Sequence, residues 1–538
     1  MYCKKNNQQV NVYDFILPFG GHLNEDNRWV KLRQAIDWDV IDEEYSKNFT
    51  NKEHGNEAYP SDVAFGALFI QRKYGYTDRE LVDQIAENPY LQYFIGFKEY
   101  RNERPFDPSL LVSFRNRISI DMINEVMDKT FIIFATQSNQ HDNDRDDCNS
   151  NDDKGDKGGN IDINYNQSDE ISEDNLTNAS KVDGEKCSIN DNILEFRIPE
   201  MPPNIGTLII DATCAPADIA YPTDLELCDK ARKWTEVIFD HLWSEHGSLN
   251  DKKTKPKTYR NKAHKRFLKL NKRRKKSAKK IRKEIRYQLN CIKRNLGYIE
   301  EYEKKYGLDC LFRIEQERLA TIKIFYNQQK EMYDNKTHTV ADRIVSLSQP
   351  WIRPIVRGKS KAPTEFGAKI SISVVNGYTF IDRISFDAYN EGDHDEFVSV
   401  VEAYRNRFGC YPERILADKI YRSKANRHFC KRHNIHISGP KLGRPGKNHD
   451  EELRQELKEI GERNEVEGKF GNAKRKLGLS RIMGKLENTS KTMIAMDFFI
   501  LNMERLLRQR SVLLYPFLSF SLLYKQMIRH KNIYWVSI

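Results

Sequence analysis

Three carboxylates stand where metal-assisted chemistry on a phosphodiester would need them. Asp211 ends the apolar run TLIID (207–211), Asp418 follows ILA in ERILADKIY (413–421), and Glu467 lies on a late helical stretch. Cutting a phosphodiester takes an activated oxygen nucleophile, charge neutralisation at phosphorus and a stabilised leaving oxygen, and two hard cations a few ångströms apart supply all three. Magnesium prefers oxygen ligands and keeps its waters, so a few carboxylates suffice. Hard carboxylates without a Cys/His cluster favour Mg2+, with Mn2+ as a substitute, over zinc.

The elements that must carry these residues are legible. At 100° per residue, Val466, Phe470, Ala473 and Leu477 form one buried stripe, and Arg463, Glu467 and Lys474 fall together beside it, so two cations flank Glu467. Glu465 points the opposite way and is expected to face solvent. The bland reading of this helix is a surface ion pair between Arg463 and Glu467 at i, i+4. Strands are expected at 368–375 and 378–386 around an Asn376-Gly377 hairpin turn, and again at 413–421 and 435–438. Helices are expected near 225–245, 395–408, 424–433 and 452–510. With TLIID as the first strand, the order is strand, strand, strand, helix, strand, helix, strand, helix, which is α/β.

Before the first strand, the chain reads as short helices. Val63, Ala67, Ile70 and Tyr74 recur at helical spacing, Gly75 ends that helix, and Thr77 with Glu80 forms a capping box for the next. Asn88-Pro89 starts a third helix, and Asp107-Pro108 repeats the device before SLLVSFRNRIS. Such a set suits either a helix-turn-helix-like DNA-binding domain or a plain dimerisation bundle.

Charge is unevenly placed. The 538 residues carry a net +10, yet residues 141–190 hold 14 acidic against 5 basic side chains and residues 251–290 hold 19 basic against 2 acidic. The acidic stretch is poor in large apolar side chains and reads as a disordered linker. The basic stretch continues into charged helical sequence and reads as a helical hairpin inserted in the α/β part, either a solvated strut or a grip on phosphates through Arg273, Arg274 and Lys275. Nine scattered cysteines without a C-x-x-C pair argue against a disulfide framework and a structural zinc site. The N-terminus has no signal-peptide core, and the apolar stretch Ser511–Tyr524 is too short to span a bilayer, so a cytoplasmic, nucleoid-associated protein is expected.

The sequence resembles the DDE transposases of bacterial insertion sequences, specifically those that pair an InsH-like N-terminal domain with an RNase H-like catalytic domain. The resemblance runs from about residue 15 to 510. It rests on YPSDVAFGALFIQRKYGYTDRELVDQIAENPYLQYFIGF and PFDPSLLVSFRNRI in the first part, then on LIIDATCAPADIAYPTDLELCDKAR, ERILADKIYRSKANRHFCKRHNIHISGPKLGRP and RNEVEGKFGNAKRKLGL. A related group spells the third region Tyr-x2-Arg-x3-Glu-x6-Lys; Arg463, Glu467 and Lys474 match, while the Tyr position is Ile460. The resemblance implies that Asp211, Asp418 and Glu467 are the catalytic, metal-holding set, that Arg463 and Lys474 contact DNA, and that Mg2+-dependent cleavage at transposon ends is followed by strand transfer from the freed 3′-OH. It also implies double-stranded DNA as partner and at least a dimer on DNA.

The expected organisation is therefore an all-α helix-turn-helix-like N-terminal domain (1–136), an acidic linker (137–195), an α/β RNase H-like catalytic domain (196–250 and 340–515) with a basic helical insertion (251–339), and a C-terminal tail (516–538). Three competing functions stay open on sequence alone: a catalytically inactive, transposase-derived DNA-binding protein; a nuclease that does not join strands; and a basic structural or ribosome-associated protein.

Overall fold

The computed structural model describes residues 11–49, 57–136, 203–247, 254–356, 364–440 and 449–509. The expected acidic linker and the C-terminal tail lie outside the described residues, which all belong to one compact unit. It is mostly helical, with one mixed sheet. No helix among the described residues is long and apolar enough to cross a membrane, and the described cysteines are free.

Seven helices come first: α1 (Arg28–Ala35), α2 (Trp38–Ser46), α3 (Ser61–Tyr74), α4 (Asp78–Glu87), α5 (Pro89–Phe94), α6 (Leu110–Arg117) and α7 (Ile120–Thr136). Local chemistry sets their ends. Gly75 stops α3 in the left-handed conformation (φ 72°), Thr77 and Glu80 close the capping box of α4, and Asn88 caps α5 with Pro89 in its first turn. Ahead of α6 the Asp107 carboxylate accepts from the Ser109 backbone N–H at 2.9 Å, so it turns the chain before the helix instead of capping it.

The sheet contains β1 (Thr207–Pro216), β2 (Arg353–Val356), β3 (Thr364–Val375), β4 (Tyr378–Ser385), β5 (Arg414–Leu416) and β6 (His436–Ile437). β3 lies antiparallel to β1, and its other edge is shared by β2 and β4; β5 runs parallel to β1, and β6 parallel to β5. The β3–β4 hairpin turns on Asn376 (φ 48°) and Gly377 (φ 77°), the pair of positive angles that a tight two-residue turn requires. A side chain at Gly377 would also run into the Arg505 guanidinium. β2 was not foreseen.

Between β1 and β2 the chain builds α8 (Asp224–His246), α9 (Arg260–Asn271), α10 (Ala278–Tyr306) and α11 (Arg313–Asn335). This insertion is a bundle with its own core, in which Leu227, Phe239 and Leu242 of α8 meet Ile292 and Ile299 of α10 and Phe325 of α11. α8 thus belongs to the bundle by packing, although the sequence reading had put residues up to 250 with the catalytic domain. At the bundle's centre, Arg232 is buried and bonded to Asp229 (2.6 Å), Glu236 (2.6 Å) and Gln288 (2.9 Å), so its charge is fully matched.

After β4 come α12 (His394–Phe408), α13 (Lys424–Arg432), α14 (His449–Lys476) and a last helix, α15 (residues 487–509). One apolar cluster runs through the N-terminal helices, the sheet and α15. Phe65 and Phe131 meet Phe499 at ring distances of 5.2 and 5.7 Å, and Arg72 of α3 grips Asp497 of α15 with two bonds of 2.8 and 2.7 Å.

On β4, the Asp382 side chain is 4% exposed, accepts from the Ser373 hydroxyl and lies 4.0 Å from Arg407. Burial pushes its carboxyl up to about 7, and Arg407 and Ser373 oppose the rise only in part. The folded protein therefore holds a proton that the unfolded chain releases near pH 4, so this group lowers stability as pH rises from about 4 through about 7. Asp382→Asn removes the buried charge and keeps an acceptor for Ser373, while Asp128 still pairs with Arg407 at 3.0 Å. The variant is expected to melt roughly 1–4 °C above wild type at pH 8 and level with it near pH 4, as scanning calorimetry would read.

Candidate active site

β1 carries Asp211 in its middle. Its parallel register with β5 pairs Thr207 with Arg414, Leu208 with Ile415 and Ile209 with Leu416. The register ends there, two residues short of Asp418 on one strand and of Asp211 on the other. The sequence reading had put Asp418 within a strand. Instead β5 stops at Leu416 and Asp418 caps a 3-10 turn, Lys419–Tyr421, its carboxylate accepting from the Lys419 N–H at 2.7 Å. A carboxylate that bonds the next backbone N–H favours a cap over an extended strand.

α14 packs against β1 and β5. Its apolar stripe is as expected, with Val466, Phe470 and Ala473 buried and Leu477 just past its end. Arg414–Glu462 (2.7 Å) and His436–Glu459 (2.8 Å) pin its first half across β5 and β6. From this anchored helix Arg463 reaches two carboxylates at once: one guanidinium nitrogen is 3.8 Å from Asp211 Oδ2 and another 3.2 Å from Glu467 Oε1. Two residues along the strand from Asp211, on the same face, the Thr213 hydroxyl accepts from Lys474 Nζ at 2.8 Å. Sequence reasoning missed Thr213, although the i, i+2 spacing from Asp211 could have found it. Glu465 is half-buried, 3.8 Å from Lys469, and does not project freely into solvent; Glu467 is the more exposed of the two.

Burial raises the Asp211 carboxyl above its usual range; its bond to the Ala212 N–H and the Arg463 charge oppose the rise, and Asp418 and Glu467 add to it. All three carboxylates therefore act on one region of space. They are hard oxygen donors on a strand, on the turn after a second strand and on an anchored helix, a donor type that suits a divalent ion such as Mg2+ or Mn2+. Among the described residues, however, no three His, Cys, Asp or Glu side chains are gathered to ligand distance. Arg463 stands between Asp211 and Glu467, and its cation holds them in the arrangement observed.

Arg273, Arg274 and Lys275 are elsewhere. They are exposed on the loop between α9 and α10. Asn271, just before that loop, bonds Glu226 in the first turn of α8 at 3.4 Å, which sets the loop at the end of the bundle where the chain arrives from β1. Ile460, at the position where related sequences carry Tyr, is 47% exposed on α14.

Comparison with known proteins adds two family matches. Residues 415–504 match the family described as "Transposase DDE domain", and residues 18–117 match "Transposase domain (DUF772)". The first match includes Asp418 and Glu467 but begins after Asp211. A Rhizobium meliloti protein described as "Uncharacterized protein ORF8 in nfe locus" is 28% identical over 105 residues, covering 20% of this chain and 50% of that protein. The chain thus spans about half the length of that relative. No solved structure matches.

Proposed function

We propose that this chain, a DDE-type transposase of an insertion sequence by its two matched segments, cuts DNA at the ends of its element and joins the freed 3′-OH to target DNA in a metal-dependent reaction. The observation that carries this reading is Arg463, which spans Asp211 on β1 and Glu467 on α14, while the charge of Asp418, on the turn after β5, acts on Asp211. The strand order and mixed directions of the sheet support an RNase H-like catalytic part, interrupted after its first strand by the helical bundle.

In this mechanism Asp211, Asp418 and Glu467 would hold the divalent metal, Mg2+ with Mn2+ as a substitute. Bound there, the metal would activate the attacking oxygen and stabilise the leaving one. Arg463 lies where its guanidinium would take a phosphate oxygen, in the bidentate geometry to which arginine is suited. Thr213 holds the Lys474 ammonium beside Asp211, where a second phosphate contact is needed. The N-terminal helices read the DNA ends, and Arg273, Arg274 and Lys275 grip phosphates from the root of the bundle. Handling two ends calls for at least two copies of the chain.

The test is a nicking assay on supercoiled DNA that carries both element ends, with Mg2+, Mn2+ or chelator. Cuts at the element boundaries with either ion and none with chelator are expected. Boundary cuts that persist in chelator would rule the mechanism out.

A further inference from the structure

We infer that the outer face of α13 is a further DNA-binding surface, tracking the backbone of the duplex next to the scissile phosphate. It rests on the transposase reading and extends it to a helix outside the carboxylate cluster.

A groove of about 570 Å³ opens along α13, lined by His394, Lys424, Ala425, His428, Phe429 and Arg432. None of the six is acidic. Lys424, His428 and Arg432 are spaced i, i+4, i+8 and all three are exposed, so they form a single row on one helix face. None of the three has an acidic partner among the described residues. The helix itself, KANRHFCKR, contains no acid. Arg313–Glu317 and Lys330–Asp334 on α11, by contrast, are exposed cations that do have an acidic partner. The acids that flank His394, Asp393 and Asp395, belong to the start of α12, where the helix dipole accommodates them.

The row is tied to the catalytic turn. Asn426 of α13 is fully buried and gives both amide hydrogens to backbone carbonyls, Gly392 at 3.0 Å and Tyr421 at 2.9 Å. Its Oδ1 must therefore accept, and His394 Nδ1 donates to it at 2.9 Å. Tyr421 ends the turn that Asp418 caps. One buried side chain thus fixes the groove's wall and floor to the backbone that positions Asp418. From Lys424 to Arg432 the helix advances about 12 Å at 1.5 Å per residue. Phosphates on one strand of a duplex succeed one another at about 3.4 Å along its axis, so the row spans about three of them. Ala425 and Phe429 offer an apolar floor to the sugars between.

The test measures binding of the full chain to a duplex holding one element end and its flank, over a series of salt concentrations. Lys424→Gln/Arg432→Gln is expected to reduce the slope of log K against log salt by about 2 and to weaken binding roughly tenfold at 0.1 M salt. The control, Arg313→Gln/Lys330→Gln, removes the same charge from paired positions and is expected to leave slope and affinity unchanged. Wild type that binds with a steep slope, together with a double variant of equal slope, would overturn the inference and leave the transposase reading intact. Wild type with no salt-dependent binding would overturn both.

Discussion

If Glu467 holds the metal as proposed, Glu467→Gln is expected to slow metal-dependent cleavage by about 10³-fold or more, a loss on the order of 4 kcal/mol of charge stabilisation in the transition state. The fold should not notice. Glu467 is 55% exposed at the rim of the core, and its pair with Arg463 is a helix-surface i, i+4 contact of the kind worth about 0.3–0.5 kcal/mol. Glutamine keeps the length and an acceptor oxygen. DNA affinity should stay the same or rise slightly, because a negative charge that faces phosphate has been removed. Single-turnover cleavage and a binding titration on the same duplex separate the two effects. Loss of binding in step with cleavage would instead make Glu467 a binding residue.

Asp497→Ala is expected to destabilise the protein by about 3–5 kcal/mol, because it strands the buried Arg72 charge without a partner. Asp497 is fully buried and Arg72 is 7% exposed, so water cannot replace the lost carboxylate. The intact pair is a poor stabiliser all the same: burial outweighs Arg72 and pushes the Asp497 carboxyl up to about 6. The double variant Arg72→Leu/Asp497→Leu, which removes both charges and keeps the site filled, should recover most of the loss. Urea unfolding of the three proteins decides the point, and a double variant as unstable as Asp497→Ala would show that the pair itself stabilises. The consequence is wider than one bond, since the pair joins α3 of the N-terminal helices to α15 behind the sheet.

What the sequence made legible follows the range of the interaction. Thr77 with Glu80, Asn88 with Pro89, and Asn376 with Gly377 act within four residues, and the structure has each of them as expected. The apolar stripe of α14 was equally plain, since its periodicity needs no knowledge of what it packs against. Asp418 was placed in a strand because ILADKIY reads as extended, but a carboxylate after a three-residue strand caps a turn. β2 escaped notice because RPIV is four residues long, contains proline and pairs only at the sheet's edge, against the start of β3. The packing of α8 into the helical bundle depends on α10 and α11, which lie far along the chain. Arg72 and Asp497 are 425 residues apart, and no local pattern announces such a pair.

The candidate site divides in the same way. Residue types and the resemblance to known transposases singled out Asp211, Asp418, Glu467, Arg463 and Lys474. That Arg463 spans Asp211 and Glu467, and that Lys474 rests on Thr213, follows only from how α14 crosses β1. The row on α13 lies in a run without acids, 419–449, that the sequence reading passed over; that its cations share one exposed groove with His394 follows only from the fold.

The decisive measurement is a metal-specificity switch at Asp418. Asp418→Cys replaces a hard oxygen with sulfur, which magnesium binds poorly and softer ions accept more readily. If Asp418 holds the catalytic ion, the variant should be inactive on element-end DNA in Mg2+ and regain boundary cleavage in Mn2+. Cleavage at the wild-type rate in Mg2+ would contradict a metal-holding role for Asp418 and, with it, the carboxylate site proposed for this chain.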